Sequence, residues 1–444
     1  MSKHFRPEFD PQKGLIIYNL FPRIVGNISN WYRYVDHAAD MNFNTIYINP
    51  FFYPGFSGSL YAPKDYYEFN PLFLDRKNGA KQLEEFCVYA HSKDMRVIMD
   101  LIINHTSIDS VLVEQHPTWY KHNPDGSIKN PSAMDPADAR NITVWGDLAE
   151  IDNEHSEDKE NLWAYWRDLV LFYLSLGFDG FRCDAAYQVP PELWRLLITD
   201  AHGREGDVCF IAETLGCTEE DLVALSKAGF SYVYNSAKWW NFKDEWCFKQ
   251  YNMSRKYCPS LSFPETHDTP RLFADVNGDI RQVKMWYQFS AFFSKGLMMP
   301  IGFEYGFKRK LDVVMTQPQD WETPRIDLTD FIRDVNFLKA GYKVLNQDSE
   351  IEILPHNNEN IFMMLKLDAD RQTRVLVIIN LDPHNKHVVS LRNLRDIMKL
   401  SSAESLKDVS PEAALVQVGN EFMCELTPYQ VKIIYGSLAK RWWD

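Results

Sequence analysis

Three carboxylates in this sequence stand where an apolar run gives way to a loop. Asp184 follows Gly180-Phe181-Arg182-Cys183, Glu213 follows Val208-Cys209-Phe210-Ile211-Ala212, and Asp268 ends Ser262-Phe263-Pro264-Glu265-Thr266-His267-Asp268. A carboxyl group at a strand tip serves as nucleophile, acid or base according to its protonation state. Arg182 and Asp184 are two residues apart on one strand face, so an ion pair between them would keep the aspartate charged. That pair alone serves equally well as a structural bridge at a strand edge. The two further acids favour chemistry, because the C-terminal rim of a (β/α)8 barrel draws its catalytic groups from several strand ends.

The elements that must hold these groups follow from periodicity. Leu162, Tyr165, Trp166, Leu169, Phe172 and Tyr173 make the stripe of a helix packed on a sheet, and Gly177 ends it just before the strand that leads to Asp184. Residues 79–95 read as another helix, with Leu83, Phe86, Cys87 and Ala90 on one face. Earlier strands are expected at 15–18, 44–48 and 96–100, with Ser29 as N-cap of the helix carrying Trp31, Val35 and Ala38. Residues 232–234 and 296–302 supply a sixth and an eighth strand. The loop 49–72 holds Phe51, Phe52, Tyr53, Phe56, Tyr61, Tyr66, Tyr67 and Phe69, more rings than a solvated loop needs. Residues 106–152 are proline-rich and polar, too long for an ordinary barrel loop. From about Lys343 the pattern turns to alternating strands.

A chain of 444 residues exceeds one typical domain. The expected α/β architecture is a (β/α)8 TIM barrel (1–105 and 153–342), a small inserted domain (106–152) and a C-terminal antiparallel β-sandwich domain (343–444). The net charge of −14 argues against a nucleic-acid partner, whose phosphates it would repel. Seven scattered cysteines fit reduced thiols. The amino terminus has no apolar core for a signal peptide, and no stretch approaches a membrane span, so a cytoplasmic location and no membrane partner are expected. Oligomeric state stays open.

Asp100-Leu101-Ile102-Ile103-Asn104-His105, Gly180-Phe181-Arg182-Cys183-Asp184, Ile211-Ala212-Glu213, Glu265-Thr266-His267-Asp268-Thr269-Pro270-Arg271 and the tyrosine loop from Leu60-Tyr61 to Asp65-Tyr66 together resemble the motifs of the α-amylase family of retaining glycoside hydrolases. Their order and spacing span the whole chain. The resemblance implies Asp184 as nucleophile and Glu213 as general acid and later base. It implies that Asp268 grips the sugar hydroxyls, that Tyr61 stacks on the reacting sugar, and that His105 and His267 assist by hydrogen bonding. Arg182 is expected to hold Asp184 ionised and Arg271 to support this shell. Many members bind calcium where Asn104 and Asp147 stand, close to Trp145-Gly146-Asp147-Leu148. Two side chains do not make a site, so no metal ligand is assigned and no cofactor is expected to be required, with structural calcium left open.

The chain also departs from the family pattern, which leaves its specificity open. Tyr187 and Gln188 replace a Lys-His pair found after the nucleophile in many starch-cleaving members, and Thr266 replaces an asparagine before His267-Asp268. The leading expectation is a retaining hydrolase of α-glucosidic bonds in malto-oligosaccharides or related α-glucans. The alternative is an α-glucan transglycosylase, a glucano- or maltosyltransferase. Phosphorolysis would share the same intermediate. A non-catalytic carbohydrate-binding or scaffold protein on the same fold is the rival from another class, and retention of all three acids speaks against it.

Overall fold

Apolar segments bounded by turns form eight barrel strands in the computed structural model, which describes residues 13–135, 138–400, 403–411 and 415–438. They are β1 (Ile16–Leu20), β2 (Thr45–Ile48), β3 (Arg96–Leu101), β4 (Gly180–Cys183), β5 (Cys209–Ala212), β6 (Tyr232–Tyr234), β7 (Ser260–Ser262) and β8 (Gly296–Pro300). Neighbours pair in parallel and the sheet closes with β8 against β1. Outside lie α1 (Tyr32–Asp40), α2 (Gly79–His91), α3 (Lys159–Ser175), α4 (Pro191–Glu205), α5 (Glu219–Ser226), α6 (Trp246–Ser254), α7 (Ile280–Phe293) and α8 (Thr329–Gly341). This is the expected (β/α)8 barrel.

Strand alternation sorts the side chains into two cores. Ile17, Tyr47, Ile98, Ile211, Tyr234, Leu261 and Met298 fill the barrel, whereas Ile16, Tyr18, Val97, Met99, Phe181, Phe210 and Val233 pack under the helices. Both faces of every strand are covered, which is why the runs read as continuously apolar rather than alternating. Gly177, at φ +102°, carries the chain out of α3 towards β4. Ser29 does not cap the first helix. Asn27 instead accepts from the Ser29 N–H (3.0 Å) to open a 3-10 turn at Ile28–Asn30, and α1 starts only at Tyr32.

The insert doubles back on the barrel mouth. Its strand His105–Ser107 pairs antiparallel with Leu148–Glu150, so the segment that leaves β3 is zipped to the segment that returns towards α3. A second hairpin pairs Ser132–Asp135 with Asp138–Val144.

The C-terminal region contains β9 (Glu350–Ile353), β10 (Ile361–Leu367), β11 (Thr373–Asn380), β12 (His387–Leu391), β13 (Ala403–Asp408), β14 (Val416–Gln417), β15 (Phe422–Leu426) and β16 (Val431–Leu438). Six of them form an antiparallel sheet in the order 9-10-11-16-13-14, and β12 pairs with β15. Leu365, Leu376 and Ile434 of the larger sheet share a core with Val389, Leu391 and Phe422 of the smaller. The other face, with Phe362, Met364, Val377 and Ile433, joins the barrel's outer core. Trp240 stacks on Phe289 of α7 and meets Phe362 edge-on, so this part of the tryptophan cluster packs one domain on the other. Two buried lysines tie the same joint. Lys339 Nζ donates to the carbonyls of Ala291, Ser294 and Leu345, and Lys366 Nζ to those of Phe292 and Phe293, which satisfies the carboxyl end of α7. Burial pushes the Lys366 ammonium down to about 8. The seven cysteines are free thiols. Among the described residues no helix is long and apolar enough to cross a membrane.

Gly180 pairs with Cys209 across β4 and β5, and a Cβ there would come within 2.0 Å of the Cys209 carbonyl oxygen. Gly180→Ala is therefore expected to destabilise the barrel by about 3 kcal/mol, as overpacking against a backbone cannot relax through a rotamer. Gly203 of α4 faces open space, and Gly203→Ala should stabilise by about 0.5–1 kcal/mol. Urea midpoints of the two variants, compared at unchanged m, read both signs.

Candidate active site

The parallel register converts spacing into a cluster. Asp100 of β3 stands opposite Arg182 of β4, and Arg182 opposite Ile211 of β5. Ile211 points into the barrel, so the same face two residues further on presents Asp184 and Glu213 at the rim. Arg182 is almost wholly buried. Its Nη1 donates to Asp100 (2.8 Å) and to Asp184 (2.7 Å), and its Nη2 lies 2.9 Å from Glu213 Oε2. The rings of Tyr61 and Tyr234 flank the guanidinium, each 5.8 Å away. The ion pair expected between Arg182 and Asp184 is present, and the same cation also holds Glu213.

Ala185, the residue after Asp184, takes a left-handed backbone at φ 39°. Such a conformation is unusual for a residue with a side chain and persists where its surroundings enforce it. Here it aims the Ala185 N–H at Glu213 Oε2 (2.8 Å), so the turn after β4 grips the acid at the end of β5. Glu213 Oε2 thus receives two N–H groups.

Asp100 is the anchor behind this front. Its second oxygen accepts from the hydroxyls of Tyr47 and Tyr61, the latter at 2.6 Å. The Tyr61 hydroxyl also receives Asn49 Nδ2 (3.0 Å) and meets His267 Nε2 (2.7 Å), and the two rings lie parallel with centroids 5.6 Å apart. Because Tyr61 donates to Asp100, His267 Nε2 carries a hydrogen, which also reaches Asp268 Oδ2 at 3.0 Å. His105 Nε2 donates to the Tyr61 carbonyl (2.9 Å), so this histidine grips the backbone of the stacking tyrosine. Burial pushes its imidazole down to about 4 and keeps it neutral.

The carboxyls differ in their electrostatics. Burial drives the Asp184 and Glu213 carboxyls up, against the pull of Arg182, and the negative charges of their neighbours add to the rise. Desolvation works to raise Asp268 as well, but the His267 imidazole together with the charges of Arg182 and Lys310 outweighs it and holds that half-exposed carboxyl down at about 2. One guanidinium facing Asp100, Asp184 and Glu213 at hydrogen-bond distance leaves the cluster with excess negative charge, so it retains a proton.

A pocket of about 450 Å³ opens over these groups. Asp184, Glu213, Asp268, Tyr61 and His105 line it, while Arg182 and His267 stand behind them. All seven residues selected from the motifs are therefore brought together. The insert adds Pro131, Trp145, Asp147 and Leu148, and the loop after β8 adds Val313 and Val314. Tyr187, pushed up to about 12 by burial, and Gln188 also line it.

Three features are not visible in the sequence. Asp100 stands there only as part of a motif, and its role as counter-ion needs the β3–β4 register. Tyr47 and Asn49 give no signal beyond ending a strand. Arg271 does support the region, but through a buried pair with Glu265 (2.8 Å) and a bond to the Ile301 carbonyl (2.8 Å), rather than by touching the three acids. Asn104 and Asp147 both reach the pocket, and Asn104 Oδ1 is buried without a hydrogen-bond partner, its amide nitrogen donating to Gln188 (3.2 Å). Calcium takes six to eight oxygens. Among the described residues no group of three or more His, Cys, Asp or Glu is placed to hold a metal.

Residues 9–124 match the family model described as glycogen debranching enzyme, glucanotransferase domain. An α-1,4-glucan:maltose-1-phosphate maltosyltransferase of Picrophilus torridus is 29% identical over 244 residues, which is 50% of this chain and 36% of that protein. The enzyme of the same name from Pseudomonas aeruginosa is 26% identical over 415 residues, covering 83% of this chain and 59% of its own. The chain thus spans between about a third and three-fifths of these two relatives. Among solved structures, a noncanonic maltogenic α-amylase from Thermotoga neapolitana superposes with TM-score 0.76 at 21% identity, covering 97% of this chain and all of the other. An α-amylase from Lactobacillus plantarum gives 0.75 at 20% identity, over 96% and 99% of the two chains. With these motifs assembled on a closed barrel rim, the chain has the fold of the α-amylases it superposes on and is similar in sequence to the maltosyltransferases beside it.

Proposed function

We propose that this chain is a retaining α-glucan transglycosylase, a glucano- or maltosyltransferase that works through a covalent glycosyl intermediate on Asp184. The observation that carries the reading is the single guanidinium of Arg182 holding Asp184 on Nη1 and Glu213 on Nη2. Retention needs two carboxyls about 5–5.5 Å apart, one ionised and one protonated, and a shared cation presents them together while sharing its charge between them. The matching glucanotransferase model and the maltosyltransferase relatives support transfer over the hydrolysis that the motifs first suggest.

In the first half-reaction Asp184 attacks the anomeric carbon as Glu213 protonates the departing glycosidic oxygen. In the second, Glu213 takes the proton from an acceptor hydroxyl, and that oxygen displaces Asp184. Glu213 Oε2 is occupied by Ala185 N–H and Arg182, which leaves Oε1 to carry the mobile proton. Asp184 is assigned the ionised role because its hydrogen bond from Arg182 Nη1 opposes the rise that burial imposes on it. Asp268, kept charged by His267, binds hydroxyls of the reacting sugar, and the charge it presents is matched to a ring flattening towards an oxocarbenium ion. Tyr61 offers the sugar its ring face, since its hydroxyl is committed to Asp100. These steps draw on carboxyl groups alone and use no cofactor.

The donor proposed is a neutral glucan rather than a sugar phosphate. The residues lining the pocket include Asp147, Asp184, Glu213 and Asp268 and neither lysine nor arginine, a field that repels a phosphate dianion.

Purified protein incubated with maltotetraose should yield both longer and shorter α-glucans with little gain in reducing ends. Only shorter sugars, with reducing ends rising, would return the chain to the hydrolases, and turnover of maltose 1-phosphate in preference to maltotetraose would overturn the neutral donor.

Asp184→Asn should lower kcat/KM by at least about 10⁴-fold on every donor, as loss of a covalent nucleophile does. Glu213→Gln should do so on maltotetraose but leave release of fluoride from α-glucosyl fluoride within about 10²-fold, because that leaving group needs no proton. Equal losses for both variants on both donors would remove the assignment of roles.

The pH dependence follows from the same pair. Activity needs one proton on the cluster, so it falls at high pH as Glu213 loses that proton and at low pH as Asp184 gains one. The Asp268 charge helps keep the Glu213 proton on. Asp268→Asn should therefore move the alkaline limb of the residual kcat/KM profile to lower pH, whereas a purely substrate-binding role would leave that limb in place.

A further inference from the structure

Arg23 stands apart from the carboxylate cluster, in the short helix Pro22–Val25 that follows β1, and its side chain is nearly buried. Its Nε donates to the Val313 carbonyl (2.7 Å), its Nη1 to the Thr316 carbonyl (3.4 Å) and its Nη2 to the Gly58 carbonyl. These carbonyls belong to two different rim loops, the one after β2 and the one after β8. The loops also touch directly, the Leu60 N–H donating to the same Val313 carbonyl (3.1 Å). Ser59 and Tyr61 from one loop and Val313 and Val314 from the other line the pocket, one and three residues from Gly58 and none or one from Val313.

We propose that Arg23 is a positioning residue for the sugar site, a buried cross-link that fixes the loop bearing Tyr61 against the loop bearing Val313 and Val314. The chemistry of the side chain suits the task. A guanidinium is planar, always charged and carries five donors in a fixed fork, so it bonds carbonyls from two chain segments in a set geometry, which the ammonium of a lysine at the end of a flexible stem holds less rigidly. Both loops are stiff enough to transmit the constraint. The Tyr61 N–H donates to Ser59 Oγ (3.2 Å), and residues 312–316 close on themselves through Thr316 N–H to the Asp312 carbonyl (3.2 Å) and Asp312 N–H to Thr316 Oγ1 (2.8 Å). Asp312 Oδ1 is taken up by the N–H groups of Val314 and Met315, each at 2.8 Å, so it shapes its own turn. Arg23 thereby sets the gap between the stacking tyrosine and the two valines without meeting the substrate.

The proposal rests on the reading of this pocket as a sugar site for its activity readout, and on the fold alone for its structural one. Hydrogen exchange of the intact protein, unliganded, is to be compared for the wild type, Arg23→Lys and Arg23→Gln. Amides of 57–61 and of 312–316 should speed up together by about tenfold or more in Arg23→Gln, less in Arg23→Lys, with β4 and β5 unchanged. On maltotetraose KM should rise by about tenfold with kcat within about threefold, since a displaced wall weakens ground-state and transition-state binding alike. Acceleration in one loop only, in neither, or throughout the barrel overturns the cross-link. Coupled acceleration with unchanged KM and a lower maximal rate would make Arg23 a stability residue only, and overturns the positioning role. A wild type inactive on glucans but showing coupled acceleration in the variants would refute the sugar-site reading while leaving the cross-link standing.

Discussion

Arg182 is an arginine side chain buried inside a barrel, and most of the rim is arranged to make that tolerable. A buried charge is expensive unless paired and hydrogen-bonded, and this one is met by Asp100, Asp184 and Glu213 together. Each carboxylate then needs partners of its own. Asp100 takes the hydroxyls of Tyr47 and Tyr61, Glu213 takes the Ala185 N–H, and Tyr61 in turn fixes His267, which holds Asp268. From one cation the dependence runs through the third, fourth, fifth and seventh strand ends and the loop after the second. Replacing such a network by apolar side chains is often neutral or stabilising in other proteins, so its presence here is better explained by what the excess negative charge can do. It favours keeping a proton among these carboxyls, the state from which the proposed retaining chemistry would start.

Where the groups come from is a matter of register. Parallel strands side by side place Asp100, Arg182 and Ile211 in one row, and the two-residue repeat carries that row forward to Asp184 and Glu213. A one-residue slip of β5 would turn Glu213 under the helices and Ala212 into the pocket. The close approach of Gly180 to Cys209 guards against that slip, because only a residue without a Cβ lets the two strands meet at that point. The geometry of the carboxylate cluster and the packing of the barrel are thus one constraint.

Features set by neighbours in sequence are legible without the fold. The stripe of α3, the stop at Gly177 and the Arg182–Asp184 pair each need only a few residues, and the eight strands fall within a few residues of their expected places. The hidden features depend on pairs far apart in the chain. Asp100 meets Arg182 across 82 residues and Tyr61 meets His267 across 206, distances over which spacing carries no signal. Ser29 resembles a cap because its type and position fit one, but the preceding Asn27 already holds its N–H and delays the helix. Arg271 resembles part of the reacting shell through its place in a motif, and Glu265, six residues away, claims it. Trp240 and Trp239 illustrate the same limit within two residues. One is locked between α7 and β10, and the other lies half exposed at the edge of Phe263.

The distinction between hydrolysis and transfer is of a different kind, because both use the same first half-reaction and the same carboxyls. It turns on which acceptor reaches the glycosyl intermediate, and therefore on the walls of the pocket rather than its floor. Those walls come from the parts of the chain least bound to the barrel pattern, the insert with Pro131, Trp145 and Leu148, the turn with Tyr187 and Gln188, and the loop after β8 with Val313 and Val314. Apolar surfaces of this kind favour the face of a pyranose over an isolated water, since an acceptor sugar gains contact area that water cannot. Water is present at enormous excess, so transfer prevails only if the acceptor is held where its hydroxyl meets Glu213 Oε1, and a held acceptor is worth many molar equivalents of a free one. Rigid walls would then be a condition of transfer, and the proposed cross-link at Arg23, far from any bond that breaks, would serve it by holding two of those walls in place.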